Sequence, residues 1–207
     1  MKNNSLQQHW EEIYRTKNTA REVSWYQDNP QISIDLIQST GADKNASIID
    51  IGGGDSKLVD ALLDLGFQSL FVLDISAESL KKARTRFGDK ANSITWVVAD
   101  VLDFETDRKF DIWHDRAALH FLTEKKDISR YVEKAYRYTK PNGYLIIAAF
   151  SINGPKKCSG LDITQYSETS IKEIFNGFEH IRSFEKIHTT PSNMKQNFLW
   201  SILKKLK

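Results

Sequence analysis

From residue 47 to residue 150 the chain alternates between short apolar runs and stretches whose apolar residues recur at helical spacing, and this alternation restricts the fold more than any other feature. Ser47-Ile48-Ile49-Asp50-Ile51 is an apolar run closed by glycines and reads as a buried strand. Leu58, Val59, Leu62, Leu63 and Leu65 then follow one helical face, with Gly66 placed to cap it. Further strands are predicted at residues 70–73, 94–98, 110–113 and 144–150. A helix capped by Ser76 separates the first two of these, and one over 127–138 precedes the Pro141-Asn142-Gly143 turn. Ser167 caps another helix, and strands at 180–188 and 197–203 close the chain with no helix between them, so they pair as a hairpin. The pattern predicts an α/β fold: a doubly wound, mostly parallel seven-stranded sheet with helices on both faces and an antiparallel edge strand.

Length and composition fit one globular domain over residues 1–207, with residues 1–45 as an N-terminal arm or lid. That arm sets Trp10, Tyr14, Trp25 and Tyr26 among polar residues, and after Pro30 the residues Ile32, Ile34, Leu36 and Ile37 predict a short helix ending near Gly41. The net charge of +2 is spread along the chain and leaves no nucleic-acid footprint; the basic Lys204-Lys205-Leu206-Lys207 reads as a solvated terminal run. A single cysteine, Cys158, rules out an intrachain disulfide and a thiolate zinc site. No metal site is expected. No apolar leader follows Met1, and the longest apolar run is too short to cross a bilayer, so the expectation is a cytoplasmic protein without a membrane partner.

The chemistry concentrates at Ile48-Ile49-Asp50-Ile51-Gly52-Gly53-Gly54-Asp55-Ser56. Glycines after a first strand let a ligand approach the backbone. A dinucleotide site wants a third glycine three positions beyond the second, for helix–strand packing. Counted from Gly54, that position holds the bulky Lys57, and Asp50 would repel a pyrophosphate. An ammonium group would be attracted instead, which favours S-adenosylmethionine over a nicotinamide dinucleotide. Asp74 ends the second strand about twenty residues on, where a carboxylate can accept both ribose hydroxyls. Asp100 ends the third, where it can meet the exocyclic amine of adenine.

On these motifs residues 47–150 resemble the class I (seven-stranded, Rossmann-like) methyltransferase superfamily. The matching stretches are Ile49-Asp50-Ile51-Gly52-Gly53-Gly54, Val72-Leu73-Asp74-Ile75-Ser76, Val98-Ala99-Asp100-Val101 and Phe110-Asp111-Ile112-Trp113-His114-Asp115-Arg116, with Lys140-Pro141-Asn142-Gly143-Tyr144 before the fifth strand. Ser56 departs from a glycine common in that loop. The resemblance implies an enzyme that binds S-adenosylmethionine and releases S-adenosylhomocysteine. It places Asp50, Gly52 and Gly54 at the methionine end, Asp74 at the ribose, and Asp100 and Val101 at the adenine, with Gly53, Ile75 and His114 also in the cofactor-binding set. Trp10-Glu11-Glu12-Ile13-Tyr14, Val23-Ser24-Trp25-Tyr26 and Asp115-Arg116-Ala117 resemble a subset of the superfamily in which an aromatic arm folds over the donor, which adds Trp10, Tyr14 and Trp25 to the binding set. The subset includes bacterial enzymes and, more distantly, eukaryotic protein lysine methyltransferases.

His114, Asp115 and His120 are the candidate bases, because they lie just beyond the fourth strand at the ligand edge. Each has a plain structural alternative as a packed histidine, a helix cap or half of an ion pair. Arg116 shares the position of Asp115, and Cys158 stands in a turn-rich loop where Lys156 and Lys157 would lower its pKa if close in space. The motifs define the methyl donor better than the acceptor. A small molecule is the expected acceptor; a protein lysine and a catalytically silent cofactor-binding module are the alternatives. Oligomeric state is not legible.

Overall fold

A computed structural model of the protein describes residues 2–17 and 22–206. In chain order the elements are α1 (Lys2–Thr16), α2 (Gln31–Ser39), β1 (Ser47–Ile51), α3 (Leu58–Asp64), β2 (Ser69–Asp74), α4 (Ala77–Phe87), β3 (Ile94–Val98) and β4 (Phe110–Arg116). They continue with α5 (Lys125–Tyr138), β5 (Thr139–Phe150), β6 (Lys157–Cys158), β7 (Leu161–Asp162), α6 (Glu168–Ile174), β8 (Phe178–Thr189) and β9 (Lys195–Lys205). Seven strands form one sheet in the order β3-β2-β1-β4-β5-β9-β8. Strands β1 to β5 run parallel. The reversed element at the sheet margin is β9, which lies antiparallel between β5 and β8. Strand order turns back at β1 and β4, which opens a crevice beyond their carboxyl ends, the place where sheets of this topology bind ligands.

Pleating divides the core into two layers. Ile49, Ile51, Trp113, Leu145 and Ile147 face α5 and α6 and bury Tyr131, Tyr138 and Phe175. Ile48, Val72, Ile112, Ile146 and Phe150 face α2, α3 and α4, with Ile37, Leu62 and Leu80 packed on them. Burial on both faces is why these strands read as unbroken apolar runs. Ser76 and Ser167 cap α4 and α6 as their positions predict, accepting from Ser79 N–H and Ser170 N–H. Gly66 and Gly88 hold the left-handed φ values, +89° and +55°, that end α3 and α4.

Four features go beyond the sequence pattern or against it. The arm before residue 17 is a helix of 15 residues, α1. No helix stands between β3 and β4; Leu102 and Phe104 from the connection fill the core there instead. The loop after β5 forms a small hairpin, β6–β7, turned by Ser159 and Gly160 at φ +51° and +81°, the paired positive angles of a two-residue turn. Lys205 is not solvated: it is buried in β9, where its Nζ donates to the carbonyls of Tyr136 (2.5 Å) and Thr139 (3.0 Å). Lys207 lies outside the described residues. Among the described residues no helix is long and apolar enough to cross a membrane.

Candidate active site

The glycine loop after β1 is held against its neighbours on every side. Gly52 and Gly53 N–H both donate to the Leu73 carbonyl, at 2.8 and 3.2 Å. Gly52 and Gly54 have φ of +65° and +49°. A Cβ on Gly54 would sit 2.6 Å from the Tyr14 hydroxyl and 3.2 Å from Asp74 Oδ2, and one on Gly53 would sit 2.7 Å from Asp50 Oδ2. Three successive glycines are therefore required by φ at two positions and by close packing at the middle one. Ser56 earns its place differently: its Oγ accepts from Leu58 N–H (3.0 Å) at the start of α3. Arg86 of α4 clamps the far side, donating to the Asp55 and Ser56 carbonyls and to the Asp60 carboxylate.

Beside this loop a cavity opens at the carboxyl ends of β1 to β4. One wall carries Gly52, Asp74, Ile75, Asp100 and Val101; Leu6, Trp10, Tyr14 and Trp25 cover it. The helix α1 reaches this position because Glu11 accepts from Ser76 Oγ, Ala77 N–H and Glu78 N–H at the start of α4, while Gln7 donates to the Ile75 carbonyl. Trp10 packs edge-on against Trp25 and Phe121, and Trp25 edge-on against Tyr14. A second, smaller cavity adjoins the first through Trp25, Gly52 and Arg116 and is lined by Asp50, Gly53 and His114. Gly54 lines neither and acts through its contact with Tyr14 and Asp74.

Asp74 is buried, makes no ion pair among the described residues and accepts from Ser76 N–H (2.8 Å). Burial without a cation, helped by the nearby Asp55 and Asp50 charges, pushes its pKa up to about 7. Asp100 is likewise raised by burial, with Leu102 N–H on its Oδ1. Two strand-end carboxylates that want donors, beside a loop whose glycines let a ligand touch backbone, fit an adenosyl amino acid. Among the described residues no cluster of His, Cys, Asp and Glu could hold a metal ion.

The three candidate bases are all brought near the β4 end, and none is placed to take a proton. On β4 the pleat sends His114 and Arg116 to the α2 face and Asp115 to the α5 face. His114 is engaged at both nitrogens, Nδ1 with Asp50 (2.7 Å) and Nε2 with Ser33 Oγ (3.0 Å), so it orients Asp50. Asp115 is fully buried away from the cavity, accepting from Ala118 N–H, Leu119 N–H and the Tyr131 hydroxyl (2.5 Å). These bonds fold the sharp turn at Ala117, φ +74°, that carries Ala118 and Phe121 under the cavity. Burial raises the Asp115 pKa to about 6 despite those donors. His120 is buried behind the cavity wall, and burial beside the Arg116 charge holds it down to about 3, a neutral ring. Cys158 corrects the expected lowering: burial raises its pKa, and Lys157 pairs with Asp162 (3.2 Å).

Sequence reading missed the inner end of the cavity. Phe121 and Phe150 meet Cys158 of the β6–β7 hairpin and Gln196 and Phe198 of β9 there, with Arg116 across from them. Only Arg116 and Cys158 carried any signal, as polar residues in loops beyond strands.

The comparisons with known proteins agree with this geometry. Residues 49–147 match the family model described as a methyltransferase domain. Nodulation protein S of Rhizobium tropici is 29% identical over 82 residues, which span 40% of this chain and about a third (34%) of that protein. Among solved structures, the N-methyltransferase NodS of Bradyrhizobium japonicum WM9, in complex with S-adenosyl-L-homocysteine, superposes with a TM-score of 0.76 at 16% identity, covering 97% of this chain and 99% of that one. A 1,6-didemethyltoxoflavin-N1-methyltransferase of Burkholderia thailandensis gives 0.71 at 17% identity, with 98% and 88% covered. At such identities the two structures speak for the fold. Residues 49–147 are thus similar to a methyltransferase domain, and the fold around them is the one these two methyltransferases share.

Proposed function

We propose that the protein, acting as a single domain with α1 and Trp25 laid over its ligand edge, methylates a small molecule held at the aromatic end of the first cavity. The observation that carries this reading is the cavity's lining: strand-end carboxylates in one part, Phe121, Phe150 and Phe198 in another, under one cover of α1 and Trp25. Such a cover suits a compact acceptor better than a side chain presented by a folded protein. The Burkholderia enzyme, whose structure holds 1,6-didemethyltoxoflavin with S-adenosylhomocysteine, supports a small acceptor.

The donor supplies a methyl group already activated by its sulfonium. Asp74 would accept the ribose hydroxyls and Asp100 the adenine amine, with Ile75 and Val101 against the nucleoside. Gly52, Gly53 and the Asp50 carboxylate, oriented by His114, would take the methionine end. Trp10, Tyr14 and Trp25 would exclude water. With His114, Asp115 and His120 engaged or neutral, the chain contributes alignment rather than a base, a contribution of up to about 7–11 kcal/mol in well-oriented reactions. The acceptor must then bring its own lone pair.

The test is to incubate the purified protein with methyl-labelled S-adenosylmethionine and lysate, then separate the products by size. Label is expected in the small-molecule pool. Label confined to protein would replace the acceptor assignment, and absence of S-adenosylhomocysteine binding by calorimetry would remove the donor assignment.

A further inference from the structure

The inner chamber contains more hydrogen-bond donors than acceptors to satisfy them. Arg116 Nη1 donates to the Trp25 carbonyl (3.0 Å), but Nε and Nη2 are shielded from water and have no partner. Those two nitrogens are the adjacent pair whose N–H bonds run parallel, the edge that grips a carboxylate with two bonds. Arg116 forms no ion pair among the described residues; its guanidinium instead stacks over Phe198, 5.0 Å from the ring centroid.

Behind the wall of that chamber, outside the residues that line it, His120 holds a further unpaired donor. Phe150 N–H donates to its Nδ1 (3.3 Å), which leaves the neutral ring's proton on Nε2, and Nε2 is buried without a partner. The His120 ring lies 4.5 Å from Phe150 and 6.4 Å from Phe198, so it flanks the same aromatic pair as Arg116. Buried donors without acceptors are costly, and a buried cation without an anion more so. A chamber that keeps the Arg116 edge unpaired beside Phe150 and Phe198 is built for a ligand that brings negative oxygen.

Resting on the methyltransferase reading above, we propose that the acceptor is a small organic acid with a flat apolar body, whose carboxylate seats on the Nε and Nη2 edge of Arg116. The body lies against Phe150 and Phe198. Arg116 is thus a specificity residue for the acceptor. It also borders the second cavity, and the alternative that it holds the donor's own carboxylate is built into the test as an outcome against the proposal.

The protein saturated with S-adenosylhomocysteine is titrated calorimetrically with benzoate, phenylacetate and cinnamate and, as neutral counterparts, benzamide, phenylacetamide and cinnamamide. At least one acid is expected to bind tenfold or more tighter than its amide. Arg116→Gln should abolish that preference while leaving the S-adenosylhomocysteine Kd within about twofold. Arg116→Lys keeps the charge but lacks the paired edge; it should lose most of the preference and serves as the second variant if the glutamine form does not fold. The proposal is overturned if no acid is preferred over its amide, or if the preference survives in both variants. It is also overturned if the variants weaken S-adenosylhomocysteine tenfold but leave 5′-methylthioadenosine, which lacks the amino acid, unchanged. Failure of the wild-type protein to bind S-adenosylhomocysteine at the outset is a separate result, which removes the methyltransferase reading itself.

Discussion

The two ends of the cavity are built on opposite principles. At the β1–β3 end the walls offer acceptors: Asp74 and Asp100 on successive strand ends, beside a loop stripped to glycine. At the β4–β5–β9 end they offer a donor, the Arg116 guanidinium, set among aromatic rings. The first end is local, made by residues that fall at the same point of repeated strand–helix units. The second is assembled from Trp25, Arg116, Cys158 and Phe198, which only the closed sheet and its hairpins bring together. On the proposed function, recognition of the donor would follow from the architecture, while choice of acceptor would depend on long-range packing.

The strongest challenge to this contrast is Asp115→Ala, because Asp115 underlies both ends through the turn at Ala117. Removing a buried carboxylate that satisfies two backbone N–H groups and the Tyr131 hydroxyl should cost about 3 kcal/mol of stability. Ligands of the two ends should weaken together, and a melt paired with both titrations would check this. Local damage with unchanged melting would mean that the ends do not share a foundation.

Asp74→Ala should separate them. It should raise the S-adenosylhomocysteine Kd about 100-fold, from two charge-assisted bonds of roughly 1.5–3 kcal/mol that are not fully additive. The wild-type pH dependence sharpens the point. With the Asp74 pKa raised to about 7 in the free protein, only the ionised form accepts both hydroxyls. Affinity should therefore rise with pH up to about 7, by up to about tenfold per unit, and level off above it, with protons released on binding below that point. Because the folded pKa lies above the unfolded value, the ionised carboxylate costs stability that accrues as pH rises from about 4 to about 7 and stays constant above it. Asp74→Asn should accordingly melt no lower than wild type at pH 8. Calorimetry in buffers of different ionisation enthalpy, with melting curves, reads each of these.

The smallest effect is expected from Arg86→Ala, which frees the glycine loop from α4 without touching the cavity. S-adenosylhomocysteine affinity should fall about fivefold, with the inner chamber unaffected, as one exposed clamp is worth roughly 1 kcal/mol. Titration of both ligand types would show whether the loop matters only to its own end.

This contrast also explains how much was legible in the sequence. Residues 47–51 and 144–150 announce strands because burial on both faces makes them uniformly apolar, and Ser76, Ser167, Gly66 and Gly88 mark helix ends through local chemistry. Trp10, Tyr14 and Trp25 stood out as large rings in a polar arm, but the helix bearing the first two did not, since Glu11 and Gln7 dock it through bonds to α4 and Ile75. His114 and Asp115, adjacent in sequence, looked equivalent; the pleat sends them to opposite faces and gives each a full set of partners. The β6–β7 hairpin escaped notice because strands of two residues carry no periodicity, and Ser159 hides the positive φ that a glycine would have flagged.

That hairpin has a consequence for how the protein can be followed in solution. It holds the chain's sole sulfhydryl under the protein surface, at the back of the inner chamber, in an environment that disfavours the reactive thiolate. Because the thiol lines the cavity, an alkylating reagent that enters the chamber marks one atom and no other. The pace of modification, and its slowing by a bound ligand, thus reads occupancy of that chamber without an added label.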